Sequence, residues 1–206
     1  TGENRALVQF GLRVLRQTRR PGLRALLRLL NLRPEQIAED DIGFSIGPRL
    51  NAASRMSHAK EAYDLLVATE PREAERLALN LEAKNKERKS LVGRLLTNLT
   101  TDLDAAFPPP VLVLGGADWP LGVLGLTASR LAEKYVRPVF LWSANSRGEI
   151  RGSCRSDGSV DVVALMNAAN YDNLFAKFGG HAMAGGFSLA TERLPEFASR
   201  LIEHYE

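Results

Sequence analysis

Three short runs set arginine, asparagine, serine and histidine among small residues, and each run points to anion chemistry. The first is Arg49-Leu50-Asn51-Ala52-Ala53-Ser54-Arg55-Met56. Guanidinium and carboxamide groups at two- and four-residue offsets can clamp a phosphate and the edge of a base or sugar. Little bulk covers Arg49, Asn51 and Arg55, so a ligand can come close; the same groups could instead staple a loop by hydrogen bonds. The second run is Arg151-Gly152-Ser153-Cys154-Arg155-Ser156. On a strand, a period of two puts Arg151, Ser153 and Arg155 on one face. Two guanidiniums and a hydroxyl there make a phosphate clamp or a solvent-facing polar edge. The third is Phe178-Gly179-Gly180-His181-Ala182-Met183-Ala184-Gly185-Gly186. Glycine lets backbone approach a ligand closely, and successive bare N–H groups form anion-binding nests. Gly179, Gly180 and His181 are therefore candidates for one shared ligand. They fit equally a tight turn into a buried strand over Gly185 to Leu189.

Other chemistry is thinly represented. Trp119 lies in a loop that leads into a helix, where its ring could stack on a base or cap a core. Cys154 reads as a small buried filler before it reads as a reactive thiol. His58 and His204 have no partners in sequence. Neither a metal-ligand spacing nor a Ser-His-acid order is recognisable.

The elements that must carry these runs follow from periodicity. Asn4 to Gln17 predicts an amphipathic helix, and Leu23 to Leu30 a second, separated by Pro21-Gly22. Asp41 to Met56 contains Gly43, Gly47 and Pro48 in an alternating pattern, which predicts a loop or short strand. Lys60 to Thr69 predicts a helix. Pro71 opens a long one reaching about Leu103, apolar at Leu77, Leu81, Leu91, Leu95 and Leu99 and charged in its middle. Lys84, Lys86, Arg88 and Lys89 there could face a groove or simply solvent. Phe107-Pro108-Pro109-Pro110 marks a boundary. Beyond it the pattern alternates: strand Val111 to Leu114, loop Gly115 to Trp119, helix Gly122 to Tyr135, strand Val139 to Trp142, turn Asn145 to Gly148, strand Glu149 to Ser156, helix Val160 to Asn170, the glycine-histidine stretch and then a strand, and helix Leu194 to Tyr205. The expected fold class is α/β. It has N-terminal helices, a long connecting helix, and then a small α/β domain with a mixed sheet.

Composition narrows the class. The 206 residues are 45% hydrophobic and 25% charged, with net charge +3, ordinary values for a globular chain. No apolar run approaches the roughly 20 residues that span a bilayer, and the polar opening Thr1-Gly2-Glu3-Asn4 lacks a leader-like apolar stretch. One cysteine excludes an intrachain disulfide and points toward the cytoplasm. The charge is uneven. Residues 1–33 hold Arg5, Arg13, Arg16, Arg19, Arg20, Arg24, Arg28 and Arg33 against the single acid Glu3, which hints at nucleic acid or at a solvated helix face.

Several ordered runs resemble the RecJ family of the DHH phosphoesterase superfamily, bacterial single-strand-specific 5′→3′ exonucleases. They are Gly2-Glu3-Asn4-Arg5, Arg49 to Met56, Gly122-Val123-Leu124-Gly125 with Ala128-Ser129-Arg130-Leu131, Arg137-Pro138-Val139, Gly152 to Ser156 and Phe178 to Gly185. The resemblance implies a DHH domain holding two divalent metals, Mn2+ or Mg2+, then a long helix, then a DHH-associated domain, with the DNA strand in the cleft between. It divides the chain into residues 1–69 (end of the DHH domain), 70–106 (connecting helix) and 107–206 (DHH-associated domain). It implies that the metal ligands lie ahead of Gly2, so the chain would bind nucleic acid for DNA repair and recombination yet be inactive alone. Asn51 and Arg55 would lie near the scissile phosphate. Ser153 and Arg155 would hold the 5′-terminal phosphate, and Gly179, Gly180 and His181 would face the strand. The implied partners are single-stranded DNA at its 5′ end and a single-strand-binding protein or helicase, for a monomer. A non-catalytic scaffold of the same superfamily and a short-oligonucleotide phosphodiesterase are the alternatives. Three positions depart from the family pattern: Ser54 replaces glycine, Cys154 replaces alanine, and Trp119-Pro120-Leu121-Gly122 lacks the histidine usual after the tryptophan.

Overall fold

The computed structural model describes residues 2–105, 107–145 and 148–205. Part of the expected turn, at 146–147, lies outside the described residues. The chain divides into two compact units, Thr1–Ser90 and Leu91–Glu206.

The first unit is helical. It contains α1 (Gly2–Arg16), α2 (Pro21–Leu29), α3 (Gly47–Met56), α4 (Lys60–Val67) and the first half of α5 (Pro71–Asp104). Leu12, Leu26, Leu27, Ile37, Leu65, Leu77 and Leu81 form its core. Asp41 to Met56 corrects the expectation of a loop or strand. Asp41–Ile46 is a turn of π-helix that runs directly into α3. Pro48 sits in the first turn of α3, directly after the π-helical turn, and its fixed φ of about −65° suits helical backbone. Gly47 is required by the wide π turn, since a Cβ there would lie 2.8 Å from the Ile42 carbonyl oxygen. Ala52 and Ala53, both fully buried, give the helix its packed face.

The second unit is a five-stranded mixed sheet in the order β1-β2-β3-β5-β4. The strands are β1 (Leu112–Ala117), β2 (Val139–Ala144), β3 (Glu149–Arg155), β4 (Lys177–His181) and β5 (Ala184–Ala190). Strands β1 and β2 are parallel and joined by α6 (Leu121–Tyr135); the remaining pairs are antiparallel. On one face α7 (Val162–Ala169) and α8 (Leu194–Glu203) bury Phe140, Ile150, Cys154, Phe187, Leu189 and Phe197. On the other, α6 buries Leu112, Leu124, Leu131, Val139 and Leu141. Asp161 caps α7 by accepting hydrogen bonds from the N–H groups of Val163 and Ala164.

Two local expectations change here. Gly115, Gly116 and Ala117 continue β1 rather than forming a loop. Bulky rings lie over both glycines: a Cβ on Gly115 would meet Trp142 at 2.1 Å, and one on Gly116 would meet the Trp119 ring nitrogen at 2.7 Å. The Gly179-Gly180-His181 run is itself strand β4, paired to β5 along its length. Among the described residues, no helix is long and apolar enough to cross a membrane.

Candidate functional site

The sheet register assembles the site of the second unit. Ile150 and Cys154 of β3 are fully buried on the α7/α8 side. The alternate residues Arg151, Ser153 and Arg155 therefore project from the opposite face. Across the ladder, Arg155 aligns with Ala184 and then His181, Ser153 with Gly186 and then Gly179, and Arg151 with Ser188 and then Lys177. The result is three parallel rows across three strands. Basic groups stand in the outer rows, and the middle row ends in two glycines.

The glycines of the run separate into two kinds. Gly180 has φ +152°, and a Cβ there would lie 2.3 Å from the Ala184 carbonyl oxygen. Gly185 faces the core, where a Cβ would crowd the Cys154 sulfur and the Met166 methyl at 3.0 Å each. Both are demanded by packing. Gly179 has nothing within 4 Å of its missing Cβ, and Gly186 only the Gly152 oxygen at 3.7 Å. Those two leave main chain bare on the polar face where the fold has no need of it.

Arg155 is half-buried and held in place. Its Nη1 donates to the Cys154 carbonyl at 2.6 Å and to Ser153 Oγ at 3.3 Å, and Ser153 Oγ donates to the Gly185 carbonyl at 3.3 Å. Helix α6 makes room for this pair with Gly125, where a Cβ would lie 2.7 Å from Arg155 Nη2 and 3.0 Å from Ser153 Oγ. Arg151 is exposed and only loosely paired with Glu149, at 3.5 Å, an interaction of little strength in water. His181 is exposed, and its ring forms no hydrogen bond among the described residues. Trp119 is half-buried against the α6-side core. Together with Asp118, Ser143, Glu149 and Arg151 it lines an open cavity of about 400 Å³. The tryptophan and Arg151 thus line one cavity. Cys154 is the buried filler: burial pushes its thiol up to about 12, so no thiolate forms near neutral pH.

In the first unit, Asn51 and Arg55 are exposed at an i, i+4 spacing on α3. Arg49 is placed differently. Its Nε donates to Glu82 Oε2 at 2.8 Å and its Nη1 to the Ser45 carbonyl at 3.0 Å, with the side chain only 14% exposed. It ties α3 to α5. One and two turns further along α5, Asn85 is fully buried and Arg88 half-buried. Arg88 Nη2 donates to Asn85 Oδ1 at 2.8 Å. Burial, then the positive charges of Arg55 and Arg49, push the Arg88 guanidinium below its usual range. Asn85 Nδ2 and Arg88 Nε have no hydrogen-bond partner among the described residues, and each such buried donor costs about 1–3 kcal/mol.

The sequence did not single out Lys177, Ser188, Gly186, Asn85 or Arg88 as site members, although the third run ends at Gly186 and Arg88 was one of four charges that could face a groove. Period-two alternation over Lys177, Gly179 and His181 was a usable signal for the first of these. The i, i+3, i+6 spacing of Glu82, Asn85 and Arg88 was one for the last two. Among the described residues, no three His, Cys, Asp or Glu side chains come together as a metal site.

Residues 109–206 match the DHHA1 domain family. A single-stranded-DNA-specific exonuclease RecJ from Haemophilus influenzae is 37% identical over 203 residues, covering 94% of this chain and 35% of the relative. The structure of RecJ from Thermus thermophilus in complex with Mn2+ superposes with a TM-score of 0.86 at 33% identity, over 99% of this chain and 30% of that one. A second structure of that protein, with Mg2+, gives 0.85 at 32% identity, covering 99% and 31%. The chain therefore spans about a third of the length of the relatives it matches.

Proposed function

Residues 109–206 form a DHHA1 domain and the chain as a whole is a RecJ-like segment, and on that premise we propose that it is the nucleic-acid-gripping part of a single-strand-specific DNA exonuclease. The observation that carries this is the polar face of β3, β5 and β4. Arg151, Ser153 and Arg155 stand in line there beside the bare main chain of Gly186 and Gly179. Guanidinium groups bind phosphate oxygens through paired N–H donors. An uncovered glycine strip lets a sugar-phosphate backbone lie against the sheet. Trp119, at the rim of the adjoining cavity, offers a ring on which a base stacks without regard to sequence. Such contacts position a strand and do not read its bases.

Within this proposal Ser153 and Arg155 hold a 5′-terminal phosphate, which sets the direction of digestion. Gly179 and His181 contact the strand beyond it, and Gly180 acts by shaping β4. The first unit contributes Asn51 and Arg55, with Arg49 as their support. The parent protein is a phosphodiester hydrolase that uses Mn2+ or Mg2+ and works in the cytoplasm. The residues described here do not fit a metal site, so no hydrolytic step is assigned to them, and the chain alone binds without cleaving.

Fluorescence anisotropy with short single strands ending in 5′-phosphate or 5′-hydroxyl, across a salt series, tests this. The expected result is tighter binding of the phosphate end, with the preference lost in Arg155→Ala and no cleavage in Mn2+. A steep salt dependence with no end preference overturns the 5′-end clamp. Cleavage by the purified chain overturns the division of labour.

A further inference from the structure

We propose that Gly125 of α6 is a positioning residue for the terminal-phosphate clamp: its missing side chain sets how far Ser153 and Arg155 stand from the helix, and thereby the preference for a phosphate-ended strand. The inference rests on the clamp proposed above and extends it to a residue that acts only through the two side chains of that clamp. Gly125 is buried in the interior of the 15-residue α6, where glycine is destabilising relative to alanine. Its backbone is helical, without a positive φ, so conformation does not call for glycine. Packing of the fold does not call for it either. At Gly22, Gly47 and Gly180 an added Cβ would overlap the carbonyl oxygens of Leu65, Ile42 and Ala184, and at Gly115 and Gly152 the rings of Trp142 and Phe187. At Gly125 the three nearest atoms are Arg155 Nη2 at 2.7 Å, Ser153 Oγ at 3.0 Å and Arg155 Cζ at 3.4 Å. All three belong to the clamp.

Alanine at this position forces a specific displacement. Helix α6 cannot retreat, because Leu124, Ala128 and Leu131 are buried in one core with Leu112, Val139 and Leu141 of the sheet. Ordinary contact begins at 3.4 Å, so the guanidinium nitrogen has to withdraw by about 0.7 Å, the difference between 3.4 and 2.7 Å. It has room to do so in an open cavity of about 610 Å³, which Arg155 lines with Ser129, Asp157 and Met183. The fold therefore survives, while the hydrogen bonds from Arg155 Nη1 to the Cys154 carbonyl and Ser153 Oγ that aim the guanidinium are disturbed.

The test measures anisotropy of short strands ending in 5′-phosphate or 5′-hydroxyl, with the unmodified chain and with Gly125→Ala. Scanning fluorimetry gives Tm for both, and for Arg155→Ala with and without Gly125→Ala. The ratio of the two affinities reads the clamp, and a merely structural role would not move it. A misplacement of about 1 Å costs up to about a hundredfold where geometry is strict, so the ratio is expected to fall about tenfold in Gly125→Ala. Its Tm stays within about 2 °C of the unmodified value, because gained helix propensity offsets the crowding. In the Arg155→Ala background the crowding guanidinium is gone, and Gly125→Ala raises Tm by about 2 °C. An unchanged ratio in Gly125→Ala, when the unmodified chain prefers phosphate, overturns the positioning role and leaves the clamp standing. A Tm lower by about 5 °C or more in both backgrounds makes Gly125 a residue of the fold and likewise overturns the inference alone. No preference in the unmodified chain overturns the terminal-phosphate clamp, and this inference with it.

Discussion

Paired substitutions at Gly179 and Gly180 separate the needs of the fold from those of the ligand. The two residues are adjacent on β4, yet their surroundings differ. At Gly180 a Cβ would overlap the Ala184 carbonyl oxygen at 2.3 Å and the Gly185 Cα at 2.6 Å, on a backbone with φ +152°. Both obstacles are main chain of the paired strand and cannot swing aside. Strain at a glycine-only conformation costs on the order of 1–3 kcal/mol, and forced overlap about as much again. Gly180→Ala should therefore cost about 3 kcal/mol or more. At about 2–4 °C per kcal/mol for a chain of this size, Tm falls by roughly 10 °C. At Gly179 φ is ordinary and nothing lies within 4 Å. A β-branched side chain suits an exposed strand position, so Gly179→Val should leave Tm within about 3 °C of the unmodified value. Its two methyl groups stand on the polar face, where the strand is to lie. Losing close backbone approach should weaken oligonucleotide binding at least tenfold, or about 1.4 kcal/mol. Differential scanning fluorimetry and anisotropy on the same preparations read both effects. Undiminished affinity in Gly179→Val would refute the placement of the strand over the bare glycines. An unchanged Tm in Gly180→Ala would refute the steric reasoning that sorts them.

Three further outcomes follow from the same physics. The Ser57 hydroxyl first, then Lys84 and Asn80, hold the Glu61 carboxyl below its usual range. A depressed folded-state value stabilises above the unfolded one and is lost as pH falls through the folded one. Urea titrations should accordingly find Glu61→Gln less stable by about 1 kcal/mol at pH 7, with the gap closing in acid. Arg49→Met leaves Glu82, 17% exposed, without its partner. It should cost about 2 kcal/mol, and Glu82→Gln in the same chain should restore part of it, as a double-mutant cycle would register. Cys154 should resist a thiol reagent at pH 8 while the chain is folded and react at once in guanidinium, because its thiol is fully buried and pushed up to about 12.

What the sequence determined by itself was whatever depends on neighbours within a turn or a pair of residues. Period two put Arg151, Ser153 and Arg155 on one face of β3, and period 3.6 located α5, α6 and α8. The triple proline preceded the change to alternating strands and helices. The small residues of Arg49 to Met56 raised the expectation of close ligand approach, but Ala52 and Ala53 are buried in the helical core instead. Local rules failed where a distant group supplied the missing term. Gly47 and Pro48 argued against a helix, yet α3 forms because the proline falls in its first turn and burial of Ala52 and Ala53 outweighs propensity. Gly179 to His181 joined the sheet because β5 pairs with it, and strand pairing leaves no mark on a single strand's composition.

Tertiary structure alone sorted equivalent residues into different tasks. Arg49 and Arg55 look alike in sequence, and only the fold brings Glu82 of α5 against the first of them. Gly179 and Gly180 are indistinguishable until the Ala184 carbonyl is set against one and open space against the other. Arg88 is one of several charges along a polar stretch of helix until burial, Asn85 and the two α3 arginines surround it. Side-chain type and spacing state what chemistry a residue can perform. Which residues perform it depends on the partners that arrive from elsewhere in the chain.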